Sequence, residues 1–326
     1  MNRIVFRVIG NQSVGMGHVY RSLSLAHELT DCEVLFVTDS DSDKVVRTLT
    51  GGEYWTGTFP KDTLVRHIIE LMPDLVVFDA LNTDEETIKE IRDQEIKVLS
   101  FEDLGTGSKF TNLTINELYD EHKLEGDNYR WGNEFFFVRD EFLHAKPRKY
   151  QKHIDSILLT FGGVDQHDLS RRVYYAVRSV CKQRNISIHI VTGPGYSGYE
   201  TLEDELLGIE GVTLTHATGA ISGIMEESTL AITSNGRTVY ELAHMNIPSI
   251  VISQHERENT HRFACEENGF IMLGLYRRGV TEKMAEHELI RLIDQQDYCC
   301  NLYSKLLVHK FSENKHRVVS ELKNLL

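Results

Sequence analysis

Four short stretches combine residue types that could act on an anionic ligand. In Gly15-Met16-Gly17-His18, a glycine turn places a histidine where a helical segment begins. Glycine allows close backbone approach, and a helix start presents unpaired N–H groups to negative charge. That end of a helix also favours a neutral imidazole, the form a general base requires. His18 is therefore the expected catalytic base, with Gly15, Gly17 and Arg21 beside it as substrate contacts. The plainer reading is a tight turn with a histidine near a helix end. A Gly-x-Gly-x-x-Gly dinucleotide fingerprint is not met, because Tyr20 occupies its last glycine position.

The second stretch, Leu159-Thr160-Phe161-Gly162-Gly163-Val164-Asp165, has paired glycines after an apolar run, and Gly162 and Gly163 are expected to wall a ligand site. The third is Thr233-Ser234-Asn235-Gly236-Arg237-Thr238, with Glu241 close behind. Its small polar residues and guanidinium suit a diphosphate, and an ionised Glu241 could accept both hydroxyls of a ribose. An N-capped helix with an ordinary first-turn acid is the simpler alternative.

The fourth stretch runs from Ser253 to Ala264 and offers Gln254, His255 and Asn259, amide and imidazole groups suited to lining a sugar pocket. His255 and His261 do not have the His-Glu-x-x-His spacing, and neither a metal nor a cofactor is expected. Arg139, in "VRDEF", reads either as a substrate contact or as half of a surface ion pair. The carboxylates of "SFED", Glu102 and Asp103, read either as a further contribution to the cleft or, more simply, as solvated loop residues.

These stretches need elements to hold them, and the chain supplies an alternation of strand-like and helix-like segments. Apolar runs at 4–9, 33–38, 74–80 and 97–103 are separated by helical patterns, and "DLVVFDA" is apolar enough to be buried on both faces. The pattern loosens over 104–150, where Pro147 sits in a basic cluster that reads as a hinge. It restarts with strands at 156–163, 187–193, 211–215, 230–236 and 247–253, and helices are expected over 168–182, 237–245, 258–268, 281–294 and the tail.

Two such series predict an α/β protein of two doubly wound, Rossmann-like domains, 1–150 and 151–326, facing each other across a cleft, with the last helix packing back on the first domain. In that architecture ligands bind beyond the carboxyl ends of the strands, where every stretch above falls.

Composition narrows the partners. The 326 residues carry a formal net charge of −14, so nucleic acid and anionic membranes are poor general partners. No apolar stretch approaches the roughly 20 residues a membrane-spanning helix needs. The chain begins directly on a strand, so no signal peptide is expected. The five cysteines show no metal spacing and read as reduced thiols of a cytoplasmic protein. A monomer or a weak homodimer is expected.

Together, "VGMGHVYRSLSLAHEL", "VLSFED", "FVRDEF", "LLTFGGVD" and "ITSNGRTVYELAHMNIPSIVI" resemble, in order, the UDP-sugar hydrolases of pseudaminic acid biosynthesis over residues 1–275. More distantly, the second half resembles the GlcNAc transferases that form lipid II. Both families have the two-domain GT-B fold. The resemblance implies that His18 is the general base, that Arg139 contacts substrate, that Ser234, Asn235 and Gly236 form the diphosphate loop, and that Glu241 binds the ribose. Two departures fall where the sugar would sit: Ala80-Leu81 after the "LVVFD" strand, and "SQHEREN" in place of an Asn-Gln pair.

The expected activity is metal-independent hydrolysis of a UDP-sugar by water at the anomeric carbon, releasing UDP and a (di)acetamido-deoxy sugar. A GT-B glycosyltransferase and a non-catalytic nucleotide-sugar-binding protein are the alternatives.

Overall fold

The computed structural model describes residues 1–11 and 14–326. The chain divides into two compact units, Met1–Arg139 with Ser312–Leu326, and Asp140–Phe311. The first unit thus ends before the basic cluster around Pro147. Arg148 in that cluster belongs to the second unit, where its backbone N–H donates to Met245 O at 2.9 Å and its guanidinium to Glu226 O at 2.8 Å.

The first unit holds β1 (Arg3–Val8), β2 (Glu33–Thr38), β3 (Trp55–Thr58), β4 (Leu75–Asp79), β5 (Lys97–Phe101), β6 (Leu113–Asn116) and β7 (Tyr129–Trp131). They form one parallel sheet in the order β3-β2-β1-β4-β5-β6-β7. Side chains alternate across it. Ile4, Phe6 and Val8 enter one buried cluster with Phe36, Val77 and Leu99, and Val5 enters another with Leu35, Val76 and Val98. The strands are apolar because helices cover both faces. The helix Asn314–Lys323 belongs to this unit: Val318 and Leu322 are buried in its core, and Asn314 Nδ2 donates to Phe136 O at 2.8 Å.

The second unit holds β8 (Ser156–Thr160), β9 (Ser187–Thr192), β10 (Val212–His216), β11 (Leu230–Ser234), β12 (Ser249–Ser253) and β13 (Phe270–Leu275), parallel in the order β10-β9-β8-β11-β12-β13. Ile157, Leu159, Ile188, Ile190, Ile232 and Ile250 fill its core against the long helix Leu169–Arg184.

In both sheets the strand order reverses beside the first strand, between β1 and β4 and between β8 and β11. Crossover helices diverge there and leave a crevice at the strand ends, where doubly wound folds bind ligands. The helix expected over 258–268 does not form. Only Glu256–Asn259 is helical, followed by a single turn at Glu266–Asn268, because His261 turns inward and bonds Asn235 O through Nδ1 at 2.9 Å.

Candidate functional site

The first crevice is built by β1, β4 and the helix Gly17–Ala26. Gly10 lets the chain leave β1 close to that helix, since a Cβ there would lie 2.6 Å from Val19 Cγ2. Gly15 has φ +78°, and its N–H donates to Asn11 O at 3.0 Å, two residues before the helix starts. The helix has no side-chain cap and no acid in its first turn. Its sequence spends those positions on Gly17 and His18.

His18 is nearly buried, and its Nδ1 lies 2.6 Å from Oδ1 of Asp79, the last residue of β4. The Asp79 carboxylate is completely buried. A second polar group competes for the same ring nitrogen, because Arg21 Nη2 lies 3.3 Å from Nδ1. The shorter contact to a carboxylate decides the tautomer: Nδ1 carries the proton and donates to Asp79, leaving Nε2 as the acceptor. Nε2 has no hydrogen-bond partner among the described residues. A carboxylate holding one imidazole nitrogen so that the other can accept a proton is the orienting part of a general-base pair.

Arg21 sits three residues along the same helix face and has no exposed side-chain surface. Its Nε donates to Asp79 Oδ2 at 2.8 Å and its Nη2 to Oδ1; Nη1 donates to Glu102 Oε1 at 2.6 Å and also to Glu117. Its guanidinium lies 4.5 Å from the centre of the Phe101 ring. The expectation that Arg21 touches substrate is therefore corrected. It is a buried clamp on three carboxylates.

Burial alone would raise the Asp79 pKa, but the Arg21 charge and hydrogen bonds, joined by His18, hold it below the usual carboxylate range. Burial likewise opposes the Arg21 charge, and Asp79, Glu117 and Glu102 outweigh it and raise the guanidinium above its ordinary value.

Glu102 and Asp103 are not solvated, as their loop position suggested. Glu102 takes φ +51° at the end of β5, and its carboxylate meets Arg21. Asp103 is buried and accepts from the Thr83 hydroxyl at 2.6 Å and the Gly105 amide at 2.8 Å. Arg139 is half-buried in the same unit, its guanidinium 5.0 Å from the centre of the Tyr20 ring. It flanks the helix that carries His18.

The second crevice is made of backbone rather than charge. Gly162 has φ +75°, and a Cβ on it would lie 3.6 Å from Ser234 Oγ, so the loops after β8 and β11 touch. Behind them, Gly193 packs so closely that a Cβ would meet Gly163 Cα at 2.4 Å, and Gly195 N–H donates to Gly163 O at 2.9 Å. Asp165 is buried and accepts the N–H groups of Leu169 and Ser170, each at 2.7 Å, so the long helix's first amides are already occupied. Around Gly236 the situation is the reverse. The amides of Gly236 and Thr238 find no acceptor among the described residues. Gly236, Arg237 and Thr238 are all half-buried. Ser234 is buried at the end of β11.

Three expected pocket side chains point elsewhere. The Asn235 amide is buried and donates to Glu258 O at 2.8 Å and His261 O at 3.1 Å. Its contribution is to fix the loop, not to reach a ligand. Gln254 Nε2 donates to Phe161 O at 3.0 Å, and its Oε1 accepts from Gln166 N at 3.0 Å, which ties the β12 loop to the β8 loop. His255 is exposed and caps the short helix, accepting the Glu258 N–H through Nδ1 at 3.3 Å. Asn259 is half-buried at the end of that helix, and Glu241 lies buried in the helix that follows Gly236.

Among the described residues, no group of three or more histidine, cysteine, aspartate or glutamate side chains could hold a metal ion. No described helix is long and apolar enough to cross a membrane.

Comparison with known proteins agrees with this architecture. No protein-family model matches the chain. An uncharacterized protein of Methanocaldococcus jannaschii is 29% identical over 270 residues, 76% of this chain and 54% of the relative, so this chain spans about half that relative's length. The spore coat polysaccharide biosynthesis protein SpsG of Bacillus subtilis is 24% identical over 82% of each chain. A Helicobacter pylori protein named as both pseudaminic acid cytidylyltransferase and UDP-2,4-diacetamido-2,4,6-trideoxy-β-L-altropyranose hydrolase is 23% identical over 60% of this chain and 34% of its own.

Among solved structures, MurG of Acinetobacter baumannii superimposes with a TM-score of 0.70 at 14% identity, covering 99% of this chain and all of the other. HepE of Anabaena, solved with UDP-glucose, gives 0.67 at 10% identity over the whole of both chains. The fold is the two-domain GT-B fold, as the resemblance implied.

Proposed function

We propose that this chain is a nucleotide-sugar hydrolase that releases UDP and a free (di)acetamido-deoxy sugar, acting in nonulosonic (pseudaminic-type) acid or surface polysaccharide biosynthesis. The observation that carries the reading is the His18–Asp79 pair at 2.6 Å, with Nε2 left without a partner among the described residues. The name of the Helicobacter relative supports the substrate class, and that of the Bacillus relative the polysaccharide context.

In the proposed reaction the water oxygen bonds to the anomeric carbon while its proton passes to His18 Nε2. The bond from that carbon to the phosphate oxygen breaks, and its electron pair leaves with UDP. The sugar gains a hydroxyl of inverted configuration. Asp79 keeps Nδ1–H in place and stabilises the imidazolium that forms; Arg21 keeps Asp79 ionised. General-base action of this kind contributes roughly 10²–10⁴-fold.

The diphosphate is assigned to the Ser234–Arg237 loop, whose open amides suit an anion, with Gly162 and Gly163 as its wall. The ribose is assigned to Glu241, and Arg139, stacked beside Tyr20, is assigned to the substrate. Transfer to an acceptor hydroxyl is the second reading, and the glycosyltransferases that share the fold favour it.

The test is product release from UDP- and CMP-linked amino sugars without acceptor or metal. Wild type is expected to release free sugar and nucleoside diphosphate, and His18→Ala to lose at least about 100-fold. Binding without release would favour transfer. Label from heavy-oxygen water found in the phosphate product would overturn attack at the anomeric carbon.

A further inference from the structure

Glu258 is the carboxylate next to the loop assigned to the diphosphate, and no part of the reaction above uses it. Its side chain is 12% exposed. It accepts the Gln254 N–H at 2.7 Å and the backbone N–H of Asn235, so one carboxyl joins the β12 loop to the β11 loop. Its Oε1 lies 3.8 Å from where a Cβ on Gly236 would be. Its own carbonyl accepts the Asn235 side-chain amide at 2.8 Å.

The charged and titratable neighbours come from three loops. His255 Nε2, on the β12 loop, is the nearest, at 3.9 Å from Oε1, and Arg257 precedes Glu258 in the chain. His261 approaches from beyond the short helix, but its Nδ1 is engaged with Asn235 O. Arg237 follows Gly236 on the β11 loop. His167, on the β8 loop, bonds Gln254 O through Nε2 at 2.9 Å. Among the described residues, no lysine or arginine lies within ion-pair distance of this carboxylate.

A nearly buried carboxyl with no lysine or arginine partner, beside a histidine whose own pKa burial lowers, has little to keep it ionised, and burial raises Glu258 to about 7 against two amide hydrogen bonds that lower it. A diphosphate at Gly236 would add like charge beside it and favour the protonated form further.

We infer that Glu258 is a proton-taking positioning residue of the nucleotide loop: it holds the Asn235–Gly236 turn in the free protein and accepts a proton when the diphosphate binds. The inference rests on the assignment of the diphosphate to that loop. Ionised Glu258 would thus oppose binding, and affinity would fall as pH rises through 7.

The test uses UDP and the full chain. With a carboxyl titrating at about 7 and only its protonated form admitting the ligand, the dissociation constant should rise about ninefold between pH 8 and pH 9. Calorimetry of wild type at pH 8, in two buffers of different ionisation enthalpy, should show about 0.9 proton taken up per UDP. Glu258→Gln keeps the shape of the side chain, and it should bind with a flat profile and no uptake. UDP binding by wild type without uptake, or an unchanged slope in Glu258→Gln, would overturn the inference while leaving the functional reading intact. No UDP binding by wild type at any pH would instead overturn the functional reading, and this inference with it.

Discussion

Replacing Arg21 with methionine would test whether the first crevice is held by the clamp described above. The side chain has no exposed surface and serves Asp79, Glu102 and Glu117 at once. Methionine keeps much of the volume and contact with Phe101 but leaves three buried carboxylates without their cation. Removing one partner of a buried ion pair costs about 3–5 kcal/mol, because the remaining charge stays desolvated. Unfolding in urea typically has a slope of about 1–3 kcal/mol per molar, so the midpoint should fall by roughly 1–5 M.

The assay is selective by an accident of sequence. Both tryptophans, Trp55 and Trp131, lie in the first unit, so their fluorescence reports on that unit. The pH dependence supplies the second signature. In wild type the folded-state pKa of Asp79 is depressed, so its contribution is present above the ordinary carboxylate value and lost as pH falls through the folded value. In the variant Asp79 loses the Arg21 charge and hydrogen bonds and only His18 still opposes burial, so this carboxyl holds a proton more readily in the folded state than it does in wild type. The gap between the two proteins should therefore narrow from pH 7.5 to pH 5. A midpoint shift below about 0.5 M, or a gap that does not change with pH, would refute the clamp.

Two further predictions separate chemistry from binding. Asp79→Asn keeps the size of the side chain but presents an amide to Nδ1; turnover of the nucleotide sugar should fall about 10²–10⁴-fold with KM changed little, and a loss below threefold would remove Asp79 from the pair. Gly193→Ala puts a methyl 2.4 Å from Gly163 Cα, a backbone atom that cannot swing aside. UDP affinity should drop at least about tenfold, whereas Gly236→Ala, whose nearest neighbour is 3.8 Å away, should leave the unfolding midpoint nearly unchanged.

The sequence made the two parallel sheets readable because their central strands are continuous apolar runs, as in "LVVFD" and "SILLTFGG". It also pointed to His18, through the glycines before it. What it hid was Asp79, the residue that gives His18 its tautomer. Asp79 ends a run in which every residue is buried, and His18 and Arg21 are three apart on one helix face. A carboxylate at the end of a doubly covered strand must have a partner, so that pattern was a usable signal. Its partner, however, comes from pairing β4 with β1, which no local spacing reveals.

The polar residues of the β11 and β12 loops misled in the opposite direction. Asn235 and Gln254 have the chemistry of ligand contacts, yet both satisfy backbone groups that the loops would otherwise bury unpaired. Strands β3, β6, β7 and β13 went unread because they are short or lie outside the strongest apolar runs.

The two crevices occupy equivalent switch points but are furnished differently, and the difference matches the division of roles proposed above. At the first, an arginine, a histidine and three carboxylates are locked together, a set that can hold and move a proton. At the second, glycine loops leave the Gly236 and Thr238 amides without acceptors among the described residues, a set that can receive an anion. Amides without an acceptor exchange quickly with solvent, so UDP should slow hydrogen exchange most over 161–166 and 234–238 and leave the turn at 14–18 little changed. Protection centred on that turn would give the anion to the first unit. His18 would then be a ligand contact rather than a base, and the tautomer set by Asp79 would have to serve recognition, with Nε2 accepting a hydrogen from the ligand in place of a proton from water.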